Sequence, residues 1–311
     1  MFHSLSPAEV RAALGAARAV VAADGKLDAH EERLVAAVAR ALGHEGPIEE
    51  AAPAEVAAVV ADETTRIRLV QGLILLALID GDVDDAELGV IRSYARALEV
   101  DEPRLSNLRQ LAQGHKRALY FDLWRRSAYL GDAARKAWKD KGLRGLYQFF
   151  GSLPGLATDA DLAWRYRQLG LLAEGTFGRA YWVHMTERRF AFPGEVRGFP
   201  EELVKHDLAH VLGGYDTDPE GECEVIGFIS GFMKHDPFGY LFMIVIHMQL
   251  GVNIFNGSPV EHMVVPTDKL VAAIARGASV TRDLYDPEWD FWAELPLPLD
   301  EVRAKYGVLR A

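Results

Sequence analysis

A helix–turn–helix pattern that occurs twice, 56 residues apart, restricts this chain more than any other feature. Asp24-Gly25, Asp28 and Glu31 return as Asp80-Gly81, Asp84 and Glu87. The apolar positions follow the same offset: Leu34, Val35, Val38 and Leu42 are echoed by Val90, Ile91, Tyr94 and Leu98. Each copy therefore reads as helix, DGxxDxxE turn, helix, an internal repeat of one supersecondary unit. Ser6-Pro7-Ala8-Glu9 opens the first helix with a capping box and proline at the first helical position. Strand signals are absent from residues 1 to 110, so an all-helical domain is expected there.

Helix capping accounts for the repeated turn. The glycine ends one helix, the aspartate caps the next, and the glutamate falls at its third position. The density of acid in Asp80-Gly81-Asp82-Val83-Asp84-Asp85 exceeds what capping requires and leaves weak cation binding as a second reading. The spacing is not that of an EF-hand loop, which needs oxygens at alternate positions and a glutamate at the twelfth.

A chain of 311 residues has room for two domains, each with its own core. The net charge of -11 and pI near 5.4 argue against nucleic acid as a partner. Cys223 is the only cysteine, which excludes a disulfide framework and a CxxC metal site and fits a reducing, cytoplasmic setting. Glu222 and Glu224 flank it and raise a thiol pKa, so Cys223 is read as structural. No secretory signal is visible, since Arg11 and Arg18 interrupt the first apolar stretch. The longest apolar runs, Leu73 to Ile79 and Tyr240 to Ile246, fall well short of the ~20 residues that cross a bilayer. The chain is expected to be soluble, or peripheral at the inner membrane.

Charge inverts between Arg104 and Arg144, with eleven Lys and Arg against Asp122, Asp132 and Asp140. Tyr120, Phe121, Trp124, Tyr129 and Trp138 are threaded through this segment, which reads as two helices broken near Gly131-Asp132. One reading sets the basic helices against the acidic first domain. The other is peripheral contact with anionic lipid, where Lys and Arg attract headgroups and aromatic rings lie at the interface. The domain plan is thus a helical domain over 1–105, a basic connector over 106–144, and a second helical domain over 145–311.

Leu153-Pro154-Gly155 breaks the chain before a helical stretch, Asp159 to Glu174, that reads as largely buried. Gly175 and Gly178 flank a tight turn that feeds a helix carrying Tyr181, Trp182 and His184. A loop rich in Pro and Gly then leads to Lys205-His206-Asp207-Leu208-Ala209-His210. Written as a helix, this places His206, Asp207 and His210 at about 0°, 100° and 40° around the axis. A fourth donor, Glu222, would return from beyond Gly213-Gly214-Tyr215-Asp216. Two imidazoles and two carboxylates suit Zn2+ or another borderline divalent ion. The competing reading of the same residues is an exposed helix with two histidines and an unrelated loop.

Val225 to Gly251 is the most apolar part of the chain. Phe228, Phe232, Phe238, Tyr240, Phe242, Met243 and Ile246 read either as a buried helical hairpin or as the lining of an apolar groove. His235-Asp236 repeats the histidine–aspartate dipeptide with His247 twelve residues on, but no i+4 partner accompanies it. His184 and His262 read as ordinary hydrogen-bonded histidines, and Asp283 to Tyr306 as a closing arm and helix.

The pattern H-D-x-x-H-x11-E, with Gly214, Thr217 and Gly221 inside it, resembles the signature of the Coq4 family, proteins of ubiquinone biosynthesis. Glu174-Gly175-Thr176-Phe177-Gly178 resembles that family's EGTFG segment, and Tyr285-Asp286-Pro287-Glu288-Trp289 its Y-x-x-x-W stretch. The likeness spans roughly residues 145 to 307. The doubled DGxxDxxE over about residues 8 to 105 is similar to TerB-like domains, named from tellurite resistance. The Coq4 resemblance implies a metal held by His206, Asp207, His210 and Glu222. It also implies a substrate with an isoprenoid tail, and loss of carboxylate with gain of hydroxyl at ring carbon 1 of a polyprenylated benzoate. It equally admits a non-catalytic, zinc-containing scaffold that binds a prenyl lipid and gathers biosynthetic enzymes at a membrane, as a homodimer or within a complex. A hydrolase using zinc-bound water is the weakest reading, because HDxxH lacks the glutamate that serves as base in HExxH enzymes.

Overall fold

The computed structural model describes residues 5–25, 28–81, 84–112, 128–152, 157–252 and 265–309. Every regular element among them is a helix, and the only β pairing is an isolated bridge between Thr176 and Pro298. The all-α expectation holds for the described residues. None of the described helices is long and apolar enough to cross a membrane. His262, Tyr120, Phe121, Trp124, Asp82 and the Leu153-Pro154-Gly155 break lie outside the described residues.

Packing divides the chain into two compact units. The first combines residues 1–126 with 218–230 and 238–278, and the second combines 127–217, 231–237 and 279–311.

The first unit begins with six helices: α1 (Pro7–Val21), α2 (Ala29–Ala41), α3 (Pro53–Val59), α4 (Glu63–Leu76), α5 (Asp85–Ala97) and α6 (Arg104–Ala112). Their starts follow the sequence signals. Ser6 and Glu9 exchange the two bonds of a capping box, while Asp28 and Asp84 accept from the amides of His30 and Ala86, each at 2.6 Å. The repeat's apolar positions form core: Val35, Ile91, Tyr94 and Leu98 are all buried. The Tyr94 hydroxyl donates to the Ala51 carbonyl, which gives this buried polar group its partner.

Later helices complete the same unit. α11 (Pro219–Phe232) contributes its residues up to 230, and α12 (Pro237–Gln249) and α13 (Thr267–Ala278) follow. α13 packs along α2, where Arg40 pairs with Asp268. The buried Gln249 side chain donates to the Ile79 carbonyl and accepts from the Val265 amide at 3.1 Å. Phe228, Phe238, Phe242, Met243 and Ile246 are buried, as the hairpin reading requires.

The second unit contains α7 (Ala128–Ser152), α8 (Ala160–Gln168), α9 (Phe177–Glu187), α10 (Lys205–Gly213), α14 (Phe291–Glu294) and α15 (Leu299–Tyr306). The break expected at Gly131-Asp132 is not there. α7 runs through it and departs from helical geometry at Gly142, where φ is 57° and ψ is -139°. The stretch from 159 is likewise less buried than its composition suggests. α8 ends at Gln168, and Trp164 and Leu171 are exposed while Tyr166 and Leu169 are buried. Only one face of the helix meets the core.

The closing arm is a packing arm. The amides of Phe177 and Gly178 donate to the carbonyls of Leu297 and Leu295 at 2.8 and 2.7 Å, and the Leu299 amide returns to Gly175 at 2.9 Å. A Cβ on Gly178 would lie 2.9 Å from the Leu295 carbonyl oxygen, so this approach requires glycine. The EGTFG segment thus anchors the chain's last helices. Trp289 donates to the Tyr306 hydroxyl at 3.2 Å, and that hydroxyl donates to Glu294 at 2.8 Å.

Candidate metal centre

The candidate centre is carried by one continuous stretch, α10, a glycine turn and the start of α11. α10 ends where Gly214 takes the left-handed conformation with φ of 75°. The amides of Gly214 and Tyr215 both return to the His210 carbonyl, at 2.8 and 3.1 Å. This turn brings the Tyr215 carbonyl to 3.3 Å from His210 Nδ1. A carbonyl only accepts, so His210 carries its proton on Nδ1 and presents a lone pair at Nε2. Beyond the turn, Asp218 starts α11 by accepting from the Gly221 amide at 2.7 Å, and the Glu222 amide donates to the Asp218 carbonyl at 2.9 Å.

His206, His210 and Glu222 each offer a donor atom, and these atoms all lie within 4.8 Å of one another. His210 is buried and the other two are half-buried. His206 Nε2 stands 3.1 Å from His210 Nε2. Ligands about 2.0 Å from a tetrahedral zinc stand roughly 3.3 Å apart, so this separation fits a shared ion. The donor set fits as well: two imidazole nitrogens and one carboxylate oxygen suit zinc, and equally iron(II).

Asp207 is not part of that group. It projects about 100° from His206 around α10, and its charge is felt by Tyr181 on α9. Burial first, then the charges of Asp207 and Glu201, push the Tyr181 hydroxyl well above the ordinary range. Cys223, next to Glu222, is buried, and burial together with Glu222, Glu220 and Glu224 pushes its thiol up to about 12. It is not a nucleophile. His235 is exposed and His247 is buried with Nδ1 3.1 Å from the Val252 carbonyl; neither joins a metal-competent group among the described residues. The acids of the two repeats do not form one there either.

Three basic supports, Arg188, Arg303 and Lys205, escaped sequence reasoning, and so did the place of His184 beside the centre. Arg188 on α9 holds the turn, donating from Nη2 to Asp216 at 2.6 Å and from Nε to the Thr217 hydroxyl at 3.0 Å. Arg303 on α15 caps α10, reaching the carbonyls of Leu212 and Val211 at 2.9 and 3.0 Å. The ring of His184, buried on α9, lies 5.5 Å from that of His210. Lys205 fastens the Tyr285–Trp289 stretch through the carbonyls of Tyr285 and Asp286, at 3.4 and 2.5 Å. Burial, with nearby Lys136, lowers its pKa to about 8. The basic character of Arg188 and Arg303 was visible in sequence, but nothing local named their targets.

No protein-family model matches the chain, and no curated protein matches it.

Proposed function

We propose that this chain belongs to the prenylquinone-forming proteins its likeness to the Coq4 family points to. On this reading it acts on a polyprenylated benzoate at ring carbon 1, using a divalent ion held by His206, His210 and Glu222. The observation that carries this reading is the convergence of those three donor atoms within 4.8 Å. Among the described residues the donors are a trio rather than a closed set of four, which also favours catalysis, because catalytic zinc keeps three protein ligands and an open position whereas structural zinc is fully enclosed. A bound ion would supply Lewis-acid polarisation of a substrate carboxylate or phenolate.

The chain's own residues do the positioning. His210 is fixed in one tautomer by the Tyr215 carbonyl. Glu222, at the start of α11 and half-buried, supplies the carboxylate of the trio, the group type that can exchange a proton with a bound acid. Replacing a ring carboxylate by hydroxyl releases carbon dioxide and takes a two-electron oxidant, so the assay supplies dioxygen and a reductant. The test combines elemental analysis of the purified protein with turnover of a prenylated hydroxybenzoate. The expected result is about one divalent ion per chain and turnover, both lost in His206→Ala and Glu222→Ala while the helical circular dichroism persists. Full turnover by a metal-free variant overturns the reading.

A second reading, a non-catalytic prenyl-lipid scaffold peripheral to a membrane, is favoured by α7, where Trp138 and Leu143 are exposed beside Lys139, Lys141 and Arg144. The same preparation distinguishes it: co-purifying prenyl lipid retained by the metal-free variants, without turnover in the parent protein, supports the scaffold.

A further inference from the structure

The repeat brings two glutamates together in the core of the first unit. Glu31 on α2 and Glu87 on α5 are equivalent residues, and they are only 3 % and 4 % exposed. Their helices are already capped by Asp28 and Asp84. Their carboxyls also hydrogen-bond to each other, and that of Glu87 accepts a further bond from the Asp84 backbone. A hydrogen bond between two carboxyl groups needs a proton, because ionised carboxylates only accept. Glu31 Oε1 is buried with no hydrogen-bond partner, so the pair is not neutralised from that side.

We propose that Glu31 and Glu87 share one proton across the two repeats, an acid–carboxylate latch that ties α2 to α5 and releases as the pH rises.

The surroundings support a proton rather than a neighbouring cation as the neutralising charge. The acids whose charge acts on the pair are Asp24 after α1, Asp80 after α4 and Asp28 capping α2. Among the described residues, several cations on the packed helices are engaged elsewhere. Arg18 of α1 pairs with Glu32, Arg40 of α2 with Asp268, and Lys269 of α13 with Glu220. Arg66 of α4 donates to the carbonyls of Val60 and Leu98, and His30 faces Asp28. Burial raises both glutamates above the ordinary carboxylate range; the charges of Asp80, Asp28 and Asp24 add to the shift of Glu31, and those of Glu31 and Asp80 to the shift of Glu87. The sign follows directly. A carboxyl whose folded pKa is raised stabilises the fold fully below its unfolded pKa of about 4.3, and that contribution is lost as pH rises through the folded value.

The test is thermal unfolding of the full chain at about pH 5.5 and about pH 8.5, for the parent protein, Glu31→Gln and Glu87→Gln. A glutamine donates to the remaining carboxylate at every pH, so each variant should lose much of the parent's pH slope. At the higher pH it should raise the ratio of folded to unfolded protein by roughly tenfold, the equivalent of one pKa unit. The infrared carbonyl band of a protonated carboxylic acid, present in the parent near neutral pH and absent from the double variant E31Q/E87Q, is the second readout. Identical slopes in parent and variants, or no such band, overturn the proposal. So does destabilisation of the parent alone by a chelator, which would show that a metal ion replaces the proton.

Discussion

At the scale of single residues, the centre depends on which atoms a short arc of helix can aim at one point. His206 and His210 were legible from their spacing of four, and Glu222 only as a residue that a turn could return. Spacing does not fix a distance, and the left-handed Gly214 is what converts it into proximity. Asp207 shows the limit of the same reasoning: sharing a third of the helix's circumference does not by itself bring a carboxylate into the group of three donors. The role of Gly214 can be measured. A Cβ there would meet nothing nearer than Arg303 Nη2 at 3.9 Å, so Gly214→Ala introduces no clash. Its cost is backbone strain at a φ of 75°, about 1 kcal/mol, and Gly214→Asn should cost less. Denaturant unfolding should report that order. Equal stability of all three proteins would mean the turn is not held in the left-handed conformation.

At the scale of elements, helix starts were the most legible feature because capping is local chemistry. Ser6, Asp28 and Asp84 each cap the helix expected of them. The break in α7 was misplaced because Gly131 and Gly142 look alike in sequence; only Gly142 adopts a positive φ, and tertiary surroundings decide that. The glycine turn between α10 and α11 is likewise held by a residue remote in sequence. Arg188→Met removes the bonds to Asp216 and Thr217 while keeping an apolar stem of similar reach. Asp216 is largely exposed, so the ion pair itself should contribute less than about 1 kcal/mol to stability. Freeing the turn that aims the donors should nonetheless weaken divalent-ion binding about tenfold, in the range seen when outer supports of metal ligands are removed. Titration calorimetry against the parent protein checks this, and an unchanged affinity would assign Arg188 to stability alone.

At the scale of the whole molecule, the helical class was plain from periodicity, whereas the grouping of helices was not. Hydrophobic pattern says that a helix has a buried face and is silent about which helix covers it. α2 is covered by α13, some 230 residues later in the chain, and the carbonyl of Ile79, after the second repeat's first helix, is satisfied by Gln249. The repeat-bearing segment therefore lacks part of its own core when taken alone. A fragment of residues 1–144, cut where composition changes most abruptly, would expose the face of α2 that meets α13 and leave the buried Ile79 carbonyl without its donor. An unsatisfied buried carbonyl costs about 1–3 kcal/mol, and the uncovered apolar face adds to it, against a total stability of only about 5–15 kcal/mol for a domain. The fragment should melt without a sharp transition and bind a hydrophobic dye, while the full chain melts cooperatively and does not. A fragment that unfolds as cooperatively as the intact protein would show that the two repeats close their own core, and that α12 and α13 are additions to it.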